Sequence, residues 1–163
     1  MTKHTWIESS FCAAVLLLAR STSAQQPRPL STRDFVVAGL SDRTDSATVR
    51  ARLGPPDSVT TSEHPSAAGV QLIEWWYSDL RVGFNGTDTV AGVWLLRSNR
   101  RTARGLRVGD AVSRMRQLYG KPLGTDPGTW VYRDPATPDG EHLIKAWTQR
   151  GRVSLIYIGW TFD

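Results

Sequence analysis

A spacing of 66 residues relates one half of this chain to the other: Gly39-Leu40 returns as Gly105-Leu106, Arg50 as Arg116, Gly54 as Gly120 and Pro56 as Pro122. Between these markers Val49 and Leu53 meet Met115 and Tyr119 at matching apolar positions. An internal repeat constrains the fold more than any single residue does, because each copy has to bury the same faces in the same order.

In the first copy Asp42, Thr44 or Asp45 can cap a short helix that runs to about Leu53, with Val49 and Leu53 on one face. Gly54-Pro55-Pro56 ends it. The next segment alternates as strands do, with Ile73, Trp75 and Tyr77 on one face and Leu72, Glu74 and Trp76 on the other. Leu80, Val82 and Phe84 form a second alternating run, Asn85-Gly86 tolerates a turn, and Val90 to Leu96 reads as the returning strand. The second copy gives the same order. Asp110 is its expected cap, Val112, Met115 and Tyr119 its helix, and Gly120-Lys121-Pro122 its stop. Trp130-Val131-Tyr132 follows, then a hairpin of Leu143 to Thr148 and Val153 to Ile158 around Gln149-Arg150-Gly151. The expected fold is α+β: two tandem α-β-β-β units, an antiparallel sheet with helices packed on one face. The units span 37–96 and 105–163, joined by an Arg-rich linker, 97–104, and preceded by a flexible arm, 25–36, that contains Pro27 and Pro29.

Residues 1–24 have the pattern of an export signal: Lys3 and His4, then an apolar stretch from Phe11 to Ala19, then Thr22-Ser23-Ala24 at a cleavage position. That stretch is too short for a membrane span. A periplasmic or secreted protein beginning at Gln25 is expected, with no transmembrane segment after cleavage. The single cysteine, Cys12, lies inside the leader, so the mature chain has no thiol for nucleophilic catalysis, thiolate metal sites or disulfides. Loss of Lys3, Arg20 and Glu8 takes the net charge from +5 to +4.

The helix stop Leu53-Gly54-Pro55 and its echo Tyr119-Gly120-Lys121-Pro122, each followed by an aromatic strand and a hairpin, resemble the SmpA/OmlA small outer-membrane lipoprotein domain. The tandem pair is also similar in architecture to secreted beta-lactamase inhibitory proteins. The resemblance covers roughly residues 37–160 and implies a binding or assembly protein without catalysis. The chain departs from the lipoprotein group by having no cysteine to lipidate after the leader.

No catalytic set stands out. His64 and His142 fall in stretches that read as solvated loops, and no carboxylate pair recurs at helix spacing. Asp134, Asp139 and Glu141, the densest acidic group, lack the ligand spacing of a calcium loop. No Gly-rich loop joins a strand to a helix, so no cofactor is expected. The chain is not expected to be an enzyme or to bind nucleic acid.

Two features point to partners. Six tryptophans remain after the leader, and a sheet covered by helices on one side leaves its other side open. Trp76, Trp94, Trp130, Tyr132, Trp147 and Tyr157 are the candidates for an aromatic sheet face that engages another envelope or extracellular protein. Alternatively, Arg97, Arg100, Arg101, Arg104 and Arg107 form a basic ridge, with Arg114 and Arg116 beyond, that meets anionic lipid or cell wall in an envelope-structure or outer-membrane assembly role.

Overall fold

The computed structural model describes residues 27–64, 67–137 and 141–161. The leader and Cys12 lie outside these, as does Asp139. Helix α1 (Ser46–Leu53) precedes strands β1 (Ser58–His64), β2 (Ala67–Trp76), β3 (Leu80–Asn85) and β4 (Val90–Leu95). Helix α2 (Val112–Tyr119) precedes β5 (Gly124–Asp126), β6 (Thr129–Arg133), β7 (His142–Gln149) and β8 (Arg152–Trp160). All eight strands form one antiparallel sheet in the order β1-β2-β3-β4-β8-β7-β6-β5. Each helix is therefore followed by four strands, where three were expected. The additional strand is the outermost at each edge, and neither β1 nor β5 carries the apolar alternation that marks a half-buried strand.

Of the three expected caps for α1, Asp45 does the work, accepting from Thr48 N at 2.6 Å. Asp110 does not cap α2. Its Oδ2 accepts from Arg107 N at 3.1 Å, and Ala111 stands at the N-cap without a side-chain bond. Both helices end as expected. Gly54 N donates to Arg50 O and Gly120 N to Arg116 O, with both glycines at positive φ, +81° and +78°. Other bonds recur between the halves, with the helix-entry residues at the same spacing and their partners three residues closer: Val90 N donates to Thr44 O and Val153 N to Asp110 O, while Ser46 N donates to Asp88 O and Val112 N to Gly151 O.

Register divides the sheet into two faces. Leu80, Val82, Phe84, Val93, Leu95, Ile144, Ala146, Ile156 and Ile158 share one face and are buried with Val49 of α1, Met115 of α2, Leu40 and Leu106 in a single core. Both helices cover this face. The segment expected to be a flexible arm also contributes to it: Phe35, at the end of a short 3-10 helix (Thr32–Phe35), is buried in the core, and Leu30 packs against it. Among the described residues no helix is long and apolar enough to cross a membrane.

Candidate binding face

Among the described residues the opposite face carries no helix. One register row crosses it: Trp76 of β2, Arg81 of β3, Trp94 of β4, Tyr157 of β8, Lys145 of β7 and Val131 of β6 stand abreast. The Arg81 guanidinium lies 4.0 Å from the centre of the Trp94 ring and 4.7 Å from that of Trp76, and it pairs with Glu74 at 3.1 Å. An arginine between two indole faces is attracted to both, and its contact with Glu74 fixes its plane. Trp76 Nε1 donates to Thr60 Oγ1 at 3.0 Å. Further along, Trp94 and Tyr157 meet at 4.6 Å between ring centres, and the Lys145 ammonium lies 5.3 Å from the Trp147 ring.

Two glycines make room for these rings. A Cβ on Gly83 would come within 2.8 Å of the Trp94 ring, and one on Gly92 would overlap the Tyr157 ring. The aromatics thus lie down on bare backbone, and the ring of Tyr157 is buried beneath its neighbours. Burial lifts the Tyr157 pKa well above the ordinary phenol value, and its hydroxyl donates to Trp160 O. Trp76, Trp94 and Trp147 are half-buried, each keeping part of its ring in contact with solvent.

Of the six aromatic candidates, Trp76, Trp94, Trp147 and Tyr157 are brought together on this face. Trp130 and Tyr132 are not. In register with Ala146 and Ile144, they lie on the helix side. Tyr132 is only 2% exposed, with its ring 5.2 Å from that of Tyr119. The Trp130 ring sits under the Arg116 guanidinium at 4.9 Å, as Trp75 sits under Arg50 at 4.9 Å. Arg81 and Glu74 were not among the candidates. Alternation could have found Arg81, since Leu80, Val82 and Phe84 leave it on the opposite face.

Of the arginine ridge, Arg104 is taken into the fold, while Arg97 and Arg101 are exposed and Arg100 and Arg107 half-buried. The Arg104 side chain is 6% exposed and binds Asp34 with two nitrogens, at 3.0 and 2.9 Å, besides donating to the carbonyls of Arg28, Pro29 and Leu118. Arg100 pairs with the buried Asp79 at 2.6 Å, Arg97 Nε donates to Ser78 O at 2.8 Å, and Arg107 meets Asp110 at 3.6 Å. His142 also departs from expectation. It is buried, stacked between Phe35 and Trp160, with Nδ1 3.1 Å from Asp134 Oδ2.

No protein-family model matches this chain, and no curated protein does. Among solved structures it is similar to the uncharacterized protein yfeY from Escherichia coli, at 16% identity and a TM-score of 0.44, covering 80% of this chain and 99% of that one. It is also similar to a "putative beta-lactamase inhibitor protein" from Streptococcus mutans, at 12% identity and a TM-score of 0.31, covering 68% of this chain and 78% of that one.

Proposed function

We propose that this chain is an exported, non-catalytic binding protein that takes a protein partner on the helix-free face of its sheet. The observation that supports this reading is the row of Trp76, Arg81, Trp94, Tyr157 and Lys145, in which Arg81 sits between two indole rings on a face that no described helix covers. Half-exposed tryptophans and arginine are the side chains that carry most of the energy at protein interfaces. Arg81, Arg133 and Lys145 share the face with Glu74, which suits a partner segment bearing carboxylates. The partner would lie in the periplasm or outside the cell. We also read residues 37–96 and 105–163 as two copies of one unit, supported by the helix stops and the helix-entry bonds that recur between them.

The test is capture of a discrete protein from an envelope extract by the purified chain, compared with Trp76→Ala, Lys145→Ala and, on the helix side, Arg116→Ala. Capture lost in the first two variants and kept in the third, with the circular dichroism of all three unchanged, is the expected result. A captured protein that binds all three variants alike would remove the open face from the function.

A further inference from the structure

Strand β1 (Ser58–His64) is one edge of the sheet, and the ladder beside it tells which of its backbone groups point outward. Gly86 N donates to Gln71 O at 2.9 Å, so Gln71 and, by alternation, Ile73 and Trp75 bond toward β3. Leu72, Glu74 and Trp76 then bond toward β1, where they face Ser62, Thr60 and Ser58. The bond from Asp57 N to Trp76 O at 2.8 Å belongs to the same set. Val59, Thr61 and Glu63 are left with N–H and C=O turned away from the sheet.

Protein edges are usually kept from pairing by shortness, proline, lysine or a covering element. The far edge obeys this rule: β5 has three residues and lies between Pro122 and Pro127. β1 has seven residues, SVTTSEH, with no proline, lysine or arginine. Its one carboxylate is turned back into its own hairpin, where Glu63 Oε1 accepts from Gly69 N at 3.2 Å. Val59 is 53% exposed.

We infer that β1 pairs antiparallel with β1 of a second copy about a two-fold axis at Thr61, fusing two eight-stranded sheets into one. In this register Thr61 faces its own counterpart, Val59 of one protomer faces Glu63 of its partner, and Thr60 faces Ser62. Hydroxyl meets hydroxyl and no like charges are opposed. The outward residues form three hydrogen-bonded pairs, or about six bonds across the seam. Self-pairing fits better than capture of a foreign strand because the strand complements itself in this register. The guarded β5 edge also leaves one open edge per chain, so pairing closes at a dimer and cannot run on into a fibre. Antiparallel neighbours keep their side-chain faces, so both aromatic faces lie on the same side of the joined sheet.

Size-exclusion chromatography with light scattering over a concentration series should give twice the monomer mass. Thr61→Pro removes an N–H that the protein's own sheet does not use and should raise the dimer Kd roughly tenfold or more while leaving the fold intact. In a Cys12→Ser background, Thr61→Cys places two thiols at the axis with Cα atoms about 5.5 Å apart, and oxidation should trap the dimer. A chain that is monomeric at every concentration, a dimer indifferent to Thr61→Pro, or a Thr61→Cys chain that fails to cross-link would overturn the inference. Should Thr61→Pro also lower the Tm, the cross-link decides.

Discussion

Arg104 and Asp34 meet side by side, Nε to Oδ1 at 3.0 Å and Nη2 to Oδ2 at 2.9 Å, although 70 residues separate them. The carboxylate has no exposure to solvent. A buried pair of this kind is costly to break from one side, because the remaining charge cannot return to water. Arg104→Ala should lower stability by about 3–5 kcal/mol in urea unfolding. A loss near that of an ordinary surface arginine would show that the pair contributes little.

The same carboxylate shapes the response to acid. Burial by itself would raise the Asp34 pKa, but hydrogen bonds from the Arg104 side chain and the Ser31 backbone, with the nearby charges of Arg104 and Arg28, hold it below the ordinary value. A depressed folded pKa contributes stability that is present above the unfolded value, near about 4, and is lost as pH falls through the folded one. Asp34→Asn should start less stable and show a flatter acid limb in Tm against pH. A limb as steep as that of the parent would place the acid sensitivity elsewhere.

Alkali acts through the buried phenols. Burial pushes Tyr119 and Tyr132 up to about 12 in the folded protein, against an ordinary value near 10. Between those limits the unfolded chain releases protons that the folded one retains, so stability is full below about pH 10 and falls as pH rises toward 12. Tyr119→Phe should reduce this slope while sacrificing the 2.6 Å bond to Thr102 Oγ1, which is worth about 1 kcal/mol at neutral pH. Phenolate absorbance titrating near 10 in the folded protein would contradict the assignment.

Gly54 and Gly120 close the two helices at nearly equal φ, and a Cβ on either would meet nothing nearer than 3.6 Å. Substitution by alanine therefore carries little besides the penalty of a positive φ with extended ψ, a region open essentially to glycine alone. Gly54→Ala and Gly120→Ala should each cost about 1–3 kcal/mol, and by similar amounts. A large inequality in thermal unfolding would argue against reading the halves as equivalent units.

Gly83 and Gly92 test the aromatic row without removing an aromatic ring. Gly83→Ala should lift the Trp94 ring from the sheet, and Gly92→Ala should displace Tyr157, each at about 1–3 kcal/mol. Near-ultraviolet circular dichroism and tryptophan fluorescence should both change. Spectra identical to the parent would mean that the rings do not rest on those glycines.

The parts of the fold legible in the sequence are those held by local chemistry. Gly54 and Gly120 stop helices because few other residues tolerate their φ, and alternation placed Trp75 and Trp76 on opposite faces. β1 escaped notice because an edge strand of serine and threonine, exposed on both sides, carries no burial pattern. Trp130 and Tyr132 look as suited to binding as Trp94 and Tyr157, and only the register of β6 shows that α2 covers them. Arg104 reads as one more member of the basic ridge between the halves, since no spacing announces that it will reach back to Asp34. His142 reads as a loop residue for the same reason. Asp134, Phe35 and Trp160 surround it only once the sheet is assembled.

The pairing of β4 with β8 sets an order on how the molecule can form. Every other junction in the sheet joins strands consecutive in the chain, so each half can zip up from its own hairpins. The central junction brings Leu95 to Ile156 and Gly92 to Gly159, and closing a loop of that length costs entropy before any contact repays it. Val49 and Met115 share one core on either side of that junction, so a half-molecule keeps its own helix and hairpins but leaves one edge of β4 or β8 unpaired and its side of the core open. The central junction is thus the one pairing in the sheet that needs strands from both halves of the chain, and it carries the largest loop-closure cost.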